Sequence, residues 1–249
     1  MKSIQRICSG LCLLAATIAP TSLADIQWQT FSLSYLQGDN YRVGDPERQV
    51  VTFEHAAATT WGDSFLFWDH LWFHNGMEVD YGEWSPRFSF CKLWQVCIAK
   101  PNSDAFIKDV LIATTLEKGE TFTNGLVGVG VDINLPKFKY FTLNLYRRMA
   151  ESKADNWQAT VTWGLPFTFG NQAFLYDGFL DKFNATDNEA ASMNWTMQLR
   201  WNLAKNWGAK NPLYLGVEYA YWENKFGIQD RPSFRTKETN ANVLVKWHF

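Results

Sequence analysis

Apolar and polar residues alternate with a period of two along most of this chain. In residues 192–203 (SMNWTMQLRWNL), every odd position carries an apolar side chain and every even position a polar one. The same alternation marks residues 156–166, 213–224 and 242–249. Successive side chains of a β-strand point to opposite faces, so this pattern predicts strands with one apolar and one polar face.

Segments of this kind recur from one end of the chain to the other and predict an all-β fold of about twelve antiparallel strands. An even count is typical of bacterial outer-membrane barrels, and the segments reach the roughly 9–11 residues that a tilted transmembrane strand needs. The predicted strands cover residues 27–36, 48–57, 64–73, 84–93, 105–116, 122–133, 138–149, 156–166, 172–183, 192–203, 213–224 and 239–249.

A soluble β-sandwich would show the same period, with its apolar face turned into a core and not toward lipid. The placement of the aromatic residues favours a Gram-negative outer-membrane β-barrel, because they lie in or beside the connections on the side of the chain termini. An interfacial girdle places aromatic rings there. The residues concerned are Trp61, Trp94, Phe138, Phe167, Phe169, Trp207 and Trp247.

The sequence NVLVKWHF at residues 242–249 indicates a strand that continues to the aromatic residue Phe249. Such a strand leaves no edge when closure pairs it with the first strand of a barrel. A terminal aromatic residue also resembles the signal by which the barrel assembly machinery recognises outer-membrane proteins.

The first 24 residues have the features of a secretory signal peptide. Lys2 and Arg6 precede an apolar stretch at residues 7–19, and Ala24 follows Ser22 and Leu23 at the expected cleavage site. The alternative is a membrane anchor, but the apolar stretch is shorter than the ~20 residues of a spanning helix. Residues 25–249 are therefore predicted to form a single transmembrane β-barrel domain.

Composition narrows the function further. The chain has 13 Trp, 9 Tyr and 19 Phe, a formal net charge of −2 and a mean hydropathy of −0.25. Such a mild charge argues against nucleic acid as a partner, and the lack of a long apolar run argues against a helical membrane protein.

Two cysteines remain after the predicted signal peptide. Cys91 and Cys97 lie six positions apart, and an oxidising compartment favours a disulfide between them over a free buried pair. No histidine or further cysteine lies nearby at ligand spacing, so neither a metal nor another cofactor is expected.

Nine stretches in order resemble the Tsx/OmpK family of outer-membrane nucleoside-specific channel-forming proteins. The resemblance implies a twelve-stranded barrel in the cell outer membrane, diffusion of nucleosides or similar small polar solutes through a narrow pore, and surface loops that serve as receptors for bacteriophage or colicin. The stretches are WQTFSLSY, FLFWDHLWF with Asp69, WSPRFSF with Pro86 and Arg87, DVLIATTLE with Asp109 and Glu117, VGVGVDINLPKF, FTLNLYRR, DNWQATVTWGLPF, FLYDGFLDKF with Asp181, and VLVKWHF.

Twelve strands imply a constricted lumen lined by the polar faces of the strands. A nucleoside needs a flat apolar surface for its base and hydrogen-bond partners for its ribose hydroxyls. Aromatic candidates for base stacking are Tyr140, Tyr146, Tyr214 and Trp222. Candidates for polar contacts are Asp177, Asp181, Asn194, Gln198, Arg87 and Arg200.

A structural role for these charges is the alternative. Arg87, Arg148 and Arg200 can form ion pairs inside the barrel with Asp109, Asp177 or Glu218. The orientation of Asp69 and His70 stays open, because both faces of FLFWDHLWF are aromatic.

Two other functions compete with a channel. An outer-membrane lipid hydrolase would need a Ser and a His within hydrogen-bond reach. None of His55, His70, His74 and His248 stands in a His-x-Ser sequence, so no catalytic residue is proposed. A plugged barrel that acts mainly as a surface receptor or adhesin is the second alternative, and ion conductance would distinguish it from a channel.

Overall fold

The computed structural model describes residues 25–100 and 103–249, and the predicted signal peptide lies outside them. Twelve antiparallel strands form one closed barrel, in which each strand pairs with the next and β1 pairs with β12. The strands are β1 Ile26–Gly38, β2 Arg48–Thr59, β3 Gly62–Phe73, β4 Glu78–Ser89, β5 Ile107–Gly119, β6 Thr123–Ile133, β7 Tyr140–Met149, β8 Asn156–Phe169, β9 Gln172–Phe183, β10 Ser192–Asn202, β11 Leu213–Glu223 and β12 Glu238–His248.

The alternation pattern locates eleven of the twelve strands to within three residues at each end. The prediction of residues 84–93 for the fourth strand was wrong, because β4 ends at Ser89 and a one-turn helix, α1 (Phe90–Trp94), follows. Ser89 Oγ accepts the backbone N–H of Lys92 at 3.0 Å and caps this helix. The apolar residues at every second position continue from Trp84 into the helix, so the pattern alone does not mark the boundary.

The last strand closes the barrel against the first. In the register between them, Ser34 lies opposite Lys246 and Ser32 opposite His248. Phe249 extends the pairing by one residue, since its N–H donates to the Phe31 carbonyl at 3.0 Å and its ring stacks on the Phe31 ring at 6.0 Å. The terminal aromatic residue is therefore held on the outer surface by β1.

Polar residues point inward and apolar residues outward. On β12, Asn242 is 3% exposed and Lys246 is 4% exposed, whereas Val243 is 61% and Trp247 48% exposed. A water-soluble protein would bury the apolar face, because exposing it to water costs about 25 cal/mol per Å². An apolar exterior of this extent matches a hydrocarbon surrounding. No helix in the described parts of the chain is long and apolar enough to cross a membrane.

The two ends of the barrel differ. Asp25, the first described residue, and Phe249 lie at one end of the barrel, which we call the terminal end. The connections at residues 60–61, 134–139, 170–171 and 203–212, and the described parts of the connection at 90–106, lie at the same end. The opposite loop end carries six loops, L1 (39–47), L2 (74–77), L3 (120–122), L4 (150–155), L5 (184–191) and L6 (224–237). At the terminal end, the predicted disulfide joins Cys91 to Cys97, whose Cα atoms are 4.3 Å apart.

Candidate functional site

The strand register places all ten predicted lumen residues on the inward face. Tyr140 and Tyr146 lie on β7, Tyr214 and Trp222 on β11, and the remainder on β4, β9 and β10. Tyr146 and Tyr140 differ in accessibility. Tyr146 is 4% exposed and packs with Ala113 and Leu126, whereas Tyr140 keeps 40% of its surface exposed although it points into the barrel. The lumen therefore contains space that water can reach.

One polar cluster joins β9, β10 and β11. Arg200 donates to both carboxylate oxygens of Asp177, and its guanidinium lies 5.0 Å from the centre of the Tyr214 ring. Tyr140, which lies beside this pair, has its ring over Gly164, where any larger residue would overlap it. The cluster combines an accessible aromatic ring with fixed charges.

The other lumenal arginines have different partners. Arg87 bridges Asp63, at 2.8 Å from Nε, and Asp132, at 2.9 Å from Nη1. Arg148 donates three hydrogen bonds to Glu117, the shortest at 2.7 Å from Nη2.

The ion-pair alternative for these arginines is correct in part. Arg200 pairs with Asp177 as anticipated. Asp109 and Glu218 form no ion pair with any arginine in the described part of the chain. Asp109 accepts from Ser89 Oγ at 2.5 Å, and Glu218 accepts from Gln198 at 2.8 Å and from Asn242 at 3.0 Å.

Several further carboxylates have only neutral partners among the residues that the structure describes. Asp69 accepts from Thr52 Oγ1 at 2.6 Å, and Glu83 accepts from the Tyr81 hydroxyl at 2.5 Å. Asp181 accepts from Thr160 Oγ1 at 2.5 Å and from Gln158 Nε2 at 3.3 Å. These groups keep oxygen lone pairs that are accessible from the lumen.

An aromatic stripe runs along the inner faces of β3 and β4. Phe65 is 41% exposed inside the barrel. The ring centres of Phe65 and Phe67 are 6.2 Å apart, and those of Phe67 and Tyr81 are 5.8 Å apart. Sequence reasoning missed this stripe, because it could not assign faces to residues 64–73. The strand register gives the orientation of Asp69 and His70. Asp69 lies opposite Thr52 on the lumenal face, and His70 consequently points outward.

L1 folds over the lumen at the loop end. The Tyr41 hydroxyl donates to Asn242 Oδ1 at 3.0 Å, and the Arg42 N–H donates to Glu238 at 2.8 Å. The guanidinium of Arg48 lies 4.1 Å from the Tyr41 ring. Burial, followed by the nearby Glu218 charge, raises the pKa of Tyr41 to about 12, so this hydroxyl stays a donor at physiological pH.

Lys225 of L6 lies next to this loop. Its ammonium pairs with Glu238 and lies 5.3 Å from the Tyr41 ring and 5.5 Å from the Trp222 ring. Burial lowers the pKa of Lys225 to about 8, with the Glu238 carboxylate opposing the change. L1 and L6 together narrow the mouth on the β1, β12 and β11 side, and Trp222 is part of that constriction.

No group of three or more His, Cys, Asp or Glu residues is placed to hold a metal ion within residues 25–100 and 103–249. The described groups of the lumen are aromatic rings, hydrogen-bonding side chains and charges.

The comparisons with known proteins agree with this architecture. Among solved structures, the KdgM porin is similar with a TM-score of 0.52 at 13% identity, covering 88% of this chain and 99% of that porin. A second structure, the KdgM porin in complex with disordered oligogalacturonate, gives the same values. At this identity the likeness concerns the fold alone. No curated protein has a significantly similar sequence.

The family comparison covers almost the entire barrel. The model of the nucleoside-specific channel-forming protein Tsx matches residues 23–248. The match confirms the resemblance that the nine sequence stretches indicate. It gives the lipid hydrolase and the plugged receptor no support. The chain belongs to the family of nucleoside-specific channel-forming proteins and forms an outer-membrane β-barrel channel for small polar solutes.

Proposed function

We propose that the solutes of this channel are nucleosides. The observation that supports this proposal is that the lumen holds both accessible aromatic rings and carboxylates that, among the described residues, have only neutral hydrogen-bond partners. Tyr140 is 40% and Phe65 41% exposed within the lumen. An aromatic ring gives a nucleobase a stacking surface that tolerates different bases, which is worth about 1–3 kcal/mol in single-stranded nucleic acid binding.

The polar groups fit the sugar. Ribose hydroxyls are hydrogen-bond donors, and Asp69, Glu83 and Asp181 offer carboxylate oxygens that no basic side chain of the described residues engages. Asn194 and Gln198, on the inner face of β10, add amide groups. A nucleoside carries no phosphate, so it needs no cluster of unpaired cations.

Single-channel conductance of the refolded protein in a planar bilayer tests this proposal. Adenosine and thymidine should each reduce the ion current in a saturable manner, whereas a hexose and an amino acid should leave it unchanged. Open conductance without selective block would overturn the nucleoside assignment and leave the channel. The absence of conductance from folded protein would instead favour the plugged receptor.

Substitutions of lumenal aromatic residues test where the nucleoside binds. Tyr140→Ala and Trp222→Ala should weaken nucleoside block about tenfold, because each removes a stacking surface worth about 1–3 kcal/mol. Tyr219→Ala is the matched control, since Tyr219 lies on the same strand as Trp222 and points outward. Unchanged block in Tyr140→Ala and Trp222→Ala would exclude these two rings from the site.

We infer a second role for the loop end as a docking surface for a phage or colicin protein. Loops L4, L5 and L6 enclose a cleft of about 890 Å³. Phe226 (52% exposed), Ile228 (41%) and Phe234 (48%) give its surroundings apolar contact area. The double variant Ile228→Ser and Phe234→Ser should abolish phage or colicin sensitivity conferred by this protein while nucleoside block persists. Retained sensitivity would exclude this surface.

A further inference from the structure

Acidic side chains outnumber basic ones on the inner surface of the barrel. By strand register and contacts, eleven carboxylates of the described residues face inward, against six basic groups including Lys225 of L6. The basic groups are Arg48, Arg87, Arg148, Arg200, Lys225 and Lys246. The formal charge of the lumen is therefore negative.

The basic groups are already engaged. Five of them hold six carboxylates in ion pairs, including the pair of Lys246 with Glu54 between β12 and β2. The sixth, Arg48, donates to the backbone carbonyls of Val43 and Asp45 in L1. None of these cations is left for the remaining acids within the described part of the chain.

Five carboxylates carry the excess charge. They lie on five strands around the barrel wall, and their hydrogen-bond donors are neutral: Asp69, Glu83, Asp109, Asp181 and Glu218. The excess negative charge thus surrounds the passage.

Uncharged acceptors add to this shortage of donors. Asn156 is 4% and Gln158 6% exposed, yet Asn156 Oδ1 and Gln158 Oε1 accept no hydrogen bond from any described residue. Gln158 already uses its amide nitrogen to donate to Thr160 and Asp181. Buried acceptors are normally satisfied by protein or water. Both oxygen atoms are themselves buried, so this shortage of donors lies within the wall of the barrel.

We propose that the channel conducts cations in preference to anions, and that Asp69, Glu83, Asp109, Asp181 and Glu218 determine this preference. A cleft with low-dielectric walls and charges of one sign focuses the field and concentrates counter-ions at least about tenfold. The Debye length at physiological ionic strength is about 8 Å, so charges on a narrow wall act across the passage. The inference rests on the channel function but not on the identity of the organic solute.

The reversal potential of the refolded protein in a tenfold KCl gradient measures this preference. We expect K⁺ to be about tenfold more permeant than Cl⁻. The combined variant Asp69→Asn, Glu83→Gln, Asp109→Asn, Asp181→Asn and Glu218→Gln should bring the ratio close to one. These near-isosteric changes retain most hydrogen bonds, and Glu218→Gln and Asp181→Asn are also measured singly in case the combined variant does not fold.

Glu223→Gln is the matched control, because Glu223 lies on β11 with Glu218 but is exposed at the loop end. It should leave the permeability ratio of the wild type unchanged. The proposal would be overturned by a wild-type permeability ratio near one or by a preference for Cl⁻. It would also be overturned by the absence of current from protein whose folding is verified by its electrophoretic mobility without heating. An unchanged ratio in folded lumenal variants would overturn it as well.

Nucleoside block is recorded in the same membranes and separates the two proposals. Selective block by adenosine with no cation preference would remove the charge proposal and keep the nucleoside channel. Cation preference without block by adenosine would keep the charge proposal and remove the nucleoside assignment.

Discussion

The Tyr41 hydroxyl donates a 3.0 Å hydrogen bond to Asn242 Oδ1 and so attaches L1 to the inner face of the closing strand. The approach is close, because a Cβ atom at Gly38, where L1 leaves β1, would overlap the Asn242 side chain. The position of L1 thus depends on Gly38, on Tyr41 and on the amide of Asn242, which lies 201 residues from Tyr41 in sequence. This loop narrows the mouth of the channel, and its stability should control the ion current.

Tyr41→Phe should raise the single-channel conductance and its fluctuations. The substitution keeps the ring that packs on Arg48 and removes only the hydrogen bond to Asn242, which is worth about 1 kcal/mol. A loss of that size allows L1 to leave its inward position more often. Current recordings in planar bilayers measure the effect. Tyr35→Phe is the control, because Tyr35 points outward and its hydroxyl bonds only to Gln37. Identical current traces for Tyr41→Phe and wild type would refute this role of L1.

Neighbouring arginines on β7 should differ sharply in their effect on stability. Arg148→Met leaves the buried Glu117 carboxylate without its cation, and such a loss costs about 3–5 kcal/mol in free energy of unfolding. Arg147→Met removes an exposed contact of 3.5 Å to Asp155, which is worth about 0–1 kcal/mol. Urea titration of the refolded barrel in lipid vesicles compares the two. Equal losses of stability would contradict the assignment of Arg148 to the lumen.

Two glycines on β6 provide a test of the close approach between strands. A Cβ atom at Gly128 would overlap the Leu145 carbonyl oxygen on β7, whereas a Cβ atom at Gly125 would meet only Met149 Cε at 3.6 Å. Gly128→Ala should therefore destabilise the barrel by about 1–3 kcal/mol or prevent refolding, since backbone must move. Gly125→Ala should refold with the yield of the wild type. The folded fraction follows from electrophoretic mobility without heating. Normal refolding of Gly128→Ala would show that β6 and β7 can separate at little cost.

The sequence predicts which side chains of each strand face the lumen better than it predicts the contacts between those side chains. Alternation assigns Asn242 and Lys246 to the lumen and Val243 to lipid, because successive side chains of a strand point to opposite faces. A shift of one residue in register would move every side chain to the other face. It does not predict that Arg148 meets Glu117, which lies 31 residues away, since such contacts depend on strand tilt and side-chain length. It also could not orient Asp69, whose strand is aromatic on both faces. L1 has no periodicity at all, so its inward fold is visible only in the structure.

Acid should loosen L6 through a single carboxylate. Asp230 accepts the backbone N–H of Lys237 at 3.0 Å and that of Thr236 at 2.7 Å, and it pairs with Arg235 at 2.9 Å. These donors, Lys237 first, lower the pKa of Asp230 below its usual value of 3.8. A carboxyl group whose pKa is lower in the folded state stabilises the fold above pH 3.8 and loses this effect as the pH falls through the folded value.

Hydrogen exchange measured by mass spectrometry tests the acid sensitivity of L6. After correction for intrinsic rates, the amides of Thr236 and Lys237 should be protected at pH 6 and lose protection as the pH falls well below 3.8, because protonated Asp230 no longer accepts both N–H groups. Asp230→Asn should remove the protection already at pH 6. Asp187→Asn in L5 serves as the control, since Asp187 is exposed. Protection of the L6 amides that persists in Asp230→Asn would contradict the role of this carboxylate. The remaining contacts of the loop would then hold it, such as the 2.7 Å hydrogen bond that Thr236 Oγ1 donates to the Ile228 carbonyl.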